Sequence, residues 1–456
     1  MAYYIWKSYK LRTDPAIFLQ NFVDYEGVFF LDSSLQLQNT GRYSFLGIEP
    51  FLKLSINGSA PFQKLAAAFK NYHLPAIPGA PPFIGGAVGY LGYDMGVRLE
   101  DKVKPREKNT LPLPDGLFYF YNTVIIIDHL KKVFFICATG FPEKSSALAK
   151  ILAESNFRRI SKILLESGKP MKNRKSVGKK NRLFKLESNF TKGNYLRAVK
   201  KAKEYIRAGD IYQVNLSQRF QSETDLSSFE IYRRLRKANP ASFGAYFDAG
   251  DFQILSSSPE RFLQLTSDRV ITRPMKGTRG RSLNKKRDAS LKKELLNSVK
   301  DKAELIMIVD LERNDLGKVC DYNTVKVTKL RQLEEYRTVY QTTATIQGRL
   351  FKGCNRFDLL RACFPGGSIT GCPKIRAMEI IDELEPDKRA IYTGALGYLS
   401  FCGKMDFNIM IRTILKKGKQ LYFGVGGGIV ADSDPLEEYQ ETLTKAKGMI
   451  EAINGA

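Results

Sequence analysis

Four acidic residues and one lysine stand where chemistry could be done. Near the C-terminus, "GGGIVADSDPLEEYQET" places Asp434 as a helix N-cap, Pro435 at the first helical position and Glu437 three residues after the cap, completing a capping box. Glu438 and Glu441 then fall three apart on one helical face, where like charges repel by a few tenths of a kcal/mol. That spacing leaves two readings open, a solvated acidic face or a hard cation. Two or three carboxylates cannot fill a calcium cage, but they suit Mg²⁺, which keeps waters and takes further oxygens from an anionic substrate. In "VKDKAELIMIVDLERNDLG", Glu304 is either the i+4 partner of Lys300 or a further carboxylate for that cation. Glu260 follows the strand "QILSSS" at a sheet edge, a usual place for a reacting group and also an ordinary turn position. In "ITRPMKGTRGR", Lys276 is either one more surface cation or a nucleophile, with Arg273, Arg279 and Arg281 near it in sequence.

The glycine segments narrow the ligand class. "FPGGSITGCPKIRAM" leads a glycine-rich turn into a helix, but Cys372-Pro373 stands where a Walker loop needs Lys-Ser or Lys-Thr. "GVGGGIV" lacks the third glycine of the dinucleotide pattern, Ile429 being in its place. What remains is a set of backbone donors near Arg412 of "NIMIRT", a pocket suited to a small dicarboxylate unless that arginine is simply paired inside a strand. The two histidines, His73 and His129, adjoin no nucleophile motif, so a histidine-dependent triad has little material.

The elements that must position these groups are readable by pattern. Before about residue 140 the chain runs as short strands, such as "GVFFLDSS", "RYSFLGI" and "LFYFYNTVIIID". A helix is predicted over about 143–168. It is followed by "GKPMKNRKSVGKKNRLFK", eight basic residues with little apolar periodicity and almost no aromatic side chains, which reads as an exposed linker rather than a nucleic-acid surface. Helices and strands then alternate. The strand "IYQVNLSQRF" puts Gln213, Asn215 and Ser217 on one face, and helices are predicted at about 287–309, 356–363, 374–384 and 435–451.

Composition bounds the rest. The 456 residues carry a formal charge of +25, which points to an acidic partner without choosing among nucleic acid, membrane and anionic metabolite. Six cysteines without a C-x-x-C pair fit a reducing cytoplasm, and the absence of a long apolar run predicts no membrane span.

Taken together, "DIYQVNLSQRF", "SSSPERF", "RPMKGTRGR", "KDKAELIMIVDLERNDLGKV", "FPGGSITGCPKIRAMEIIDELEP", "YTGALGYLSFCGKMDFNIMIRT" and "GGGIVADSDPLEEYQET" occur in the order and wording of the chorismate-utilising enzymes. The chain resembles their aminodeoxychorismate synthase component I branch, sister to anthranilate synthase component I. The likeness is dense over about 185–450 and looser before that. It implies an α+β, anthranilate-synthase-component-I-like fold of two large antiparallel sheets packed together with helices outside. The implied division is an N-terminal β-rich domain at 1–168, a basic linker at 169–184 and a chorismate-binding catalytic domain at 185–456.

The resemblance also implies roles. Glu304 and Glu441, with Glu438 close behind, would hold Mg²⁺, and Glu260 would be the general acid. Arg412 and the backbone of Gly426, Gly427 and Gly428 would grip the substrate carboxylates. Tyr392, Gly394, Thr370, Gly277, Thr278 and Gln213 would line the pocket. Members that add water carry a lysine base where this chain has Gln213, and an amide cannot deprotonate water at neutral pH, which favours ammonia as nucleophile. Lysine rather than alanine at position 276 marks the aminodeoxychorismate branch. If the three arginines fold close to Lys276, they would favour its free amine. The implied reaction converts chorismate and ammonia to 4-amino-4-deoxychorismate, with ammonia from a glutamine amidotransferase subunit. Tyr340 and Gln341 stand where relatives often have histidine, and "FLDSS" departs from the L-L-E-S element of tryptophan-inhibited relatives.

Overall fold

The structure is a computed structural model that describes residues 3–37, 40–58, 60–108, 111–166, 185–336 and 339–454. The predicted linker at 169–184 lies outside the described residues. Alternating apolar runs separated by turns fold into two antiparallel sheets, of 12 and 10 strands among the described residues. The larger sheet runs from Tyr4–Lys10 at one edge, through Phe29–Asp32, Phe243–Asp248 and Gln253–Ser258, to Thr413–Lys417, Gln420–Ile429 and Gln213–Glu223. The smaller runs from Met275–Gly280 through Val339–Arg349, Arg261–Thr266 and Ala395–Ser400 to Gly86–Leu91 and Leu52–Ile56.

Strands from before and after 167–184 adjoin in both sheets. Phe29–Asp32 pairs with Phe243–Asp248, and Gly86–Leu91 pairs with Ala395–Ser400. The run "LFYFYNTVIIID" divides at Asn122, sending Gly116–Tyr121 into the smaller sheet and Thr123–Asp128 into the larger. One buried cluster, including Phe45, Phe83, Tyr121, Phe247, Tyr398 and Phe407, joins strands of both sheets. A second, including Phe22, Ile127, Tyr232, Leu255 and Met449, joins the larger sheet to helices. Burying both faces explains why Gly86–Leu91 and Thr123–Asp128 read as continuous rather than alternating apolar runs.

The helix predicted over 287–309 is two, Lys285–Asn297 and Val299–Gly317. Ser298 causes the break: its backbone is extended, it closes the first helix, and its hydroxyl accepts from Asp301 N to cap the second. The C-terminal helix is Pro435–Asn454, with Asp434 Oδ1 accepting from Leu436 N and Glu437 N. The N-cap is there as expected, but the Glu437 side chain does not return the bond to Asp434 N, so the capping box is half formed. No helix among the described residues is long and apolar enough to cross a membrane.

Candidate active site

The strand Gln213–Glu223 and the glycine-rich strand Gln420–Ile429 pair over their length, with Asn215 opposite Gly428 and Ser217 opposite Gly426. On its other side the glycine strand pairs with Thr413–Lys417 only as far as Phe423, opposite Ile414. Beyond Phe423 that edge has no neighbouring strand among the described residues, leaving backbone groups of the glycine run to meet an anion. Gly427 faces the C-terminal helix. A Cβ there would lie 3.0 Å from Glu438 Oε2 and 3.5 Å from Glu441 Oε1, so the two carboxylates converge on it. Gly428 backs onto Gln213 so closely that a Cβ would meet the amide nitrogen at 1.9 Å. The Gln213 side chain is buried, and neither its amide oxygen nor its nitrogen has a hydrogen-bond partner among the described residues. Unsatisfied buried amide groups are costly, which marks this end of the strand as a place for a polar ligand or water.

Lys276 enters from the smaller sheet. The register of Met275–Gly280 against Val339–Arg349 slips between Lys276 and Thr278, and Gly277 takes φ +75° at the slip, a bulge that redirects the flanking side chains. Lys276 Nζ donates to the Ser368 carbonyl at 3.2 Å, while the Ser368 hydroxyl donates to Glu260 Oε1 at 2.6 Å. Glu260 is buried, and burial pushes its carboxyl up to about 7 against the opposing pull of Ser368, Lys276 and the Met275 N–H. Burial pushes Lys276 down from the ordinary lysine value, while Glu304, Glu260 and Glu441 pull it back and Lys445 pushes it further down.

The arginines near Lys276 in sequence do not do what proximity in sequence suggested. Arg273 pairs with Glu334 at 2.6 Å, Arg279 with Glu294 and Asp301, and Arg281 with Asp288 while stacking on Tyr340. Each has its own carboxylate, and the cation that acts on Lys276 is Lys445, from the C-terminal helix.

Glu304 is half-buried and raised by burial. Lys276 precedes Lys300 among the charges that oppose this, so Lys300 is not its dominant partner. Glu438 is buried and accepts from Ser433 Oγ at 2.6 Å, whereas Glu441 is half-exposed and held low by Lys445 at 2.6 Å. Glu441 raises both Glu304 and Glu438, so the three share one field. Among the described residues no group of three or more His, Cys, Asp or Glu side chains is gathered closely enough to hold a metal unaided. This donor set fits a hard cation that keeps waters and takes substrate oxygens, and does not fit a calcium cage.

Arg412 is half-buried with φ +50°, a conformation costly for a non-glycine residue, and Tyr336 is the group that chiefly opposes its desolvation. The ring of Tyr392 lies against Gly424, and Arg389 sits 5.8 Å from its centroid. Thr370 spends its hydroxyl on the Gly366 and Gly367 carbonyls, and Gly394 N–H is bonded to Ile391 O. Thr278 is exposed and accepts from Gln341, so it is not gathered with the carboxylates, and Gly277 packs near Asp301 and Leu295.

Sequence reasoning missed Ser368 and Lys445. Lys445 donates to Gly426 O at 2.8 Å as well as to Glu441, and its i+4 spacing from Glu441 was a usable signal. Ser368 carried none, because its partners are 108 and 92 residues away. A separate cavity of about 560 Å³, lined by Asp32, Ser33, Tyr43, Ser242, Arg261 and Asp406 among others, contains none of the residues gathered around Lys276.

A family model described as chorismate binding enzyme matches residues 27–451. The anthranilate synthase component 1 of Acetivibrio thermocellus is 37% identical over 97% of this chain and 93% of its own length. The aminodeoxychorismate synthase component 1 of Salmonella typhimurium is 41% identical over 83% of this chain and 80% of its own. The crystal structure of anthranilate synthase component I from Streptococcus pneumoniae TIGR4 superposes with a TM-score of 0.78 at 32% identity, covering 91% of this chain and 95% of that one. A carboxyl and an amine held by one serine, beside converging carboxylates and an open glycine edge, thus stand in a chain that belongs to the chorismate-binding, chorismate-utilising enzymes.

Proposed function

We propose that the chain is an aminodeoxychorismate synthase component I, which aminates chorismate at C4 and keeps the enolpyruvyl group. The observation that carries this reading is the meeting of Lys276 and Glu260 at Ser368, an amine and an acid in reach of one small substrate. Burial favours the uncharged form of both groups, which is the reactive form of each.

Lys276 Nζ attacks C2 of chorismate, the ring double bonds shift, and the C4–O bond breaks. The hydroxyl leaves as water with the proton of Glu260. Ammonia then bonds to C4, the double bonds return and the C2–Nζ bond breaks, restoring the Lys276 amine. Glu260 takes back the proton lost by the added ammonium, so chorismate plus ammonia yields 4-amino-4-deoxychorismate plus water. Covalent attachment splits one hard substitution into two easier ones. Arg412 and the open edge at Gly426–Gly428 orient the two carboxylates of the substrate. Glu304, Glu441 and Glu438 are the residues that would hold Mg²⁺, which when bound supplies positive charge beside the ring carboxylate.

The relatives' designation as component 1 supports ammonia supply by a separate glutamine amidotransferase subunit. Incubation with chorismate, Mg²⁺ and an ammonium salt should give 4-amino-4-deoxychorismate on chromatography, convertible to 4-aminobenzoate by an added lyase. Lys276→Ala should abolish any covalent adduct seen by mass spectrometry and lower the rate by about 10²-fold or more. Fluorescent anthranilate as the main product, or an unchanged rate in the variant, would overturn the assignment. Anthranilate synthesis is the second reading, favoured by the 37% identity to an anthranilate synthase over nearly the whole chain.

A further inference from the structure

After the helix Arg356–Cys363 the chain makes one short 3₁₀ turn, Gly367–Ile369, before the helix Lys374–Leu384. The turn is held on several sides. Thr370 Oγ1 donates to Gly366 O and Gly367 O, Arg389 donates to Ile369 O at 3.0 Å, and Asn215 N donates to Thr370 O at 2.8 Å. Beneath it, a Cβ on Gly367 would lie 2.9 Å from Leu311 and 3.4 Å from Glu312, so the helix Val299–Gly317 backs the turn. Ser368 is buried at its centre, bonded to Glu260 through its hydroxyl and to Lys276 through its carbonyl.

We propose that Ser368 is a positioning residue that fixes the acidic hydrogen of Glu260 on Oε2 and sets the approach of Glu260 to the Lys276 amine. The inference rests on the reading of Glu260 as general acid and Lys276 as nucleophile. A carboxylic acid carries one O–H, and with Oε1 accepting the Ser368 hydrogen, its own hydrogen resides on Oε2. A donated hydrogen bond favours the ionised carboxylate, so Ser368 makes Glu260 a stronger acid than burial alone would leave it. The Ser368 carbonyl accepts one N–H of Lys276, which turns the lone pair of the free amine away from that oxygen. The charged and titratable groups around Glu260 are Lys276 from the strand Met275–Gly280 and Glu312 from the helix below. Neither donates to Oε1, and the Met275 N–H, which also bonds this carboxyl, is backbone common to every variant, so the serine is the side chain that sets which oxygen is acidic.

The test is the pH dependence of kcat and kcat/KM at constant free ammonia, with chorismate and Mg²⁺ supplied, for the wild type and for Ser368→Ala, Ser368→Thr and Glu260→Asp. A general acid must be protonated, so activity falls as pH rises through its pKa. Removing the donor raises that pKa, and the alkaline limb of Ser368→Ala should move up by about half a pH unit or more. Its kcat should fall about 10- to 100-fold with KM for chorismate nearly unchanged, and Ser368→Thr, which keeps a hydroxyl, should restore the limb and most of the rate. A fall in kcat that is equal at every pH, or a KM that rises in step, overturns the proposal. If the wild-type limb does not move in Glu260→Asp, the general-acid reading fails and the proposal fails with it. A limb that moves in Glu260→Asp but not in Ser368→Ala overturns the proposal alone. Should Ser368→Ala not fold, Ser368→Cys, with its weaker donor, must give a smaller shift in the same direction, and an unshifted limb there is equally fatal.

Discussion

At the residue scale the site uses burial to make weak acids and bases available near neutral pH. Glu260 sits at about 7 and Glu312, below the same turn, at about 8, the second raised by burial and by the Glu260 charge and opposed by Thr272. Thr272 Oγ1 donates to Glu312 Oε2 at 2.9 Å. Because the folded value of Glu312 lies above its ordinary 4.5, the folded protein holds a proton that the unfolded chain releases. The stability this contributes is complete below about pH 4.5 and is lost as pH rises through about 8. Glu312→Gln, which keeps an acceptor for Thr272, should therefore be more stable than the wild type at pH 8 by roughly 1–3 kcal/mol. Denaturant unfolding at pH 8 and pH 4.5 checks this, and a difference that does not shrink at the lower pH contradicts it. Activity should fall as pH rises through the Glu260 value, since a general acid must hold its proton.

At the element scale the glycine strand is the device that lets polar groups approach. Gly428→Ala would place a methyl 1.9 Å from the Gln213 amide nitrogen. Overpacking of this kind costs about 1–3 kcal/mol, and the amide is displaced from the end of its strand. Chorismate KM should rise while the secondary structure by circular dichroism stays the same. Adding Gln213→Ala to Gly428→Ala should recover most of the lost Tm, because the three atoms nearest that methyl all belong to Gln213. A double variant no more stable than Gly428→Ala would place the strain elsewhere. The helix Val299–Gly317 shows a different device: Ser298 restarts the helix, so Glu304 lies in its second turn instead of midway along one long helix.

At the scale of the whole molecule the two sheets tie the chain together. Phe29–Asp32 is paired on one side within the N-terminal half and on the other with Phe243–Asp248, and the same holds for Gly86–Leu91 between Gly116–Tyr121 and Ala395–Ser400. Expressed separately, residues 1–168 and 185–456 should each fail to unfold cooperatively, since each would expose unpaired strand edges and half a core. Calorimetry of the intact chain should show one transition, and two well-separated transitions would contradict the shared-sheet account. Of the cations behind the formal charge of +25, Lys276 and Lys300 act on Glu304, and Lys445, Lys276 and Lys300 act on Glu441.

Local pattern was enough to read the Asp434 cap, the paired Glu438 and Glu441, the alternation from Gln213 and the family to which the motifs belong. These depend on spacings of three, four or two residues, which the geometry of a helix or strand converts directly into a shared face. The partner of Lys276 was not readable. Its sequence neighbours Arg273, Arg279 and Arg281 turned to other carboxylates, while Ser368 and Lys445 reached it from other elements, beside the Glu260 that the resemblance implied. That arrangement depends on the slip at Gly277 and on the register of one long strand pair, which shift side chains from face to face without leaving a mark in the residues nearby. Residue types, their local spacing and the family likeness were thus legible in the chain. Which amine meets which acid was decided by the packing of distant strands and turns.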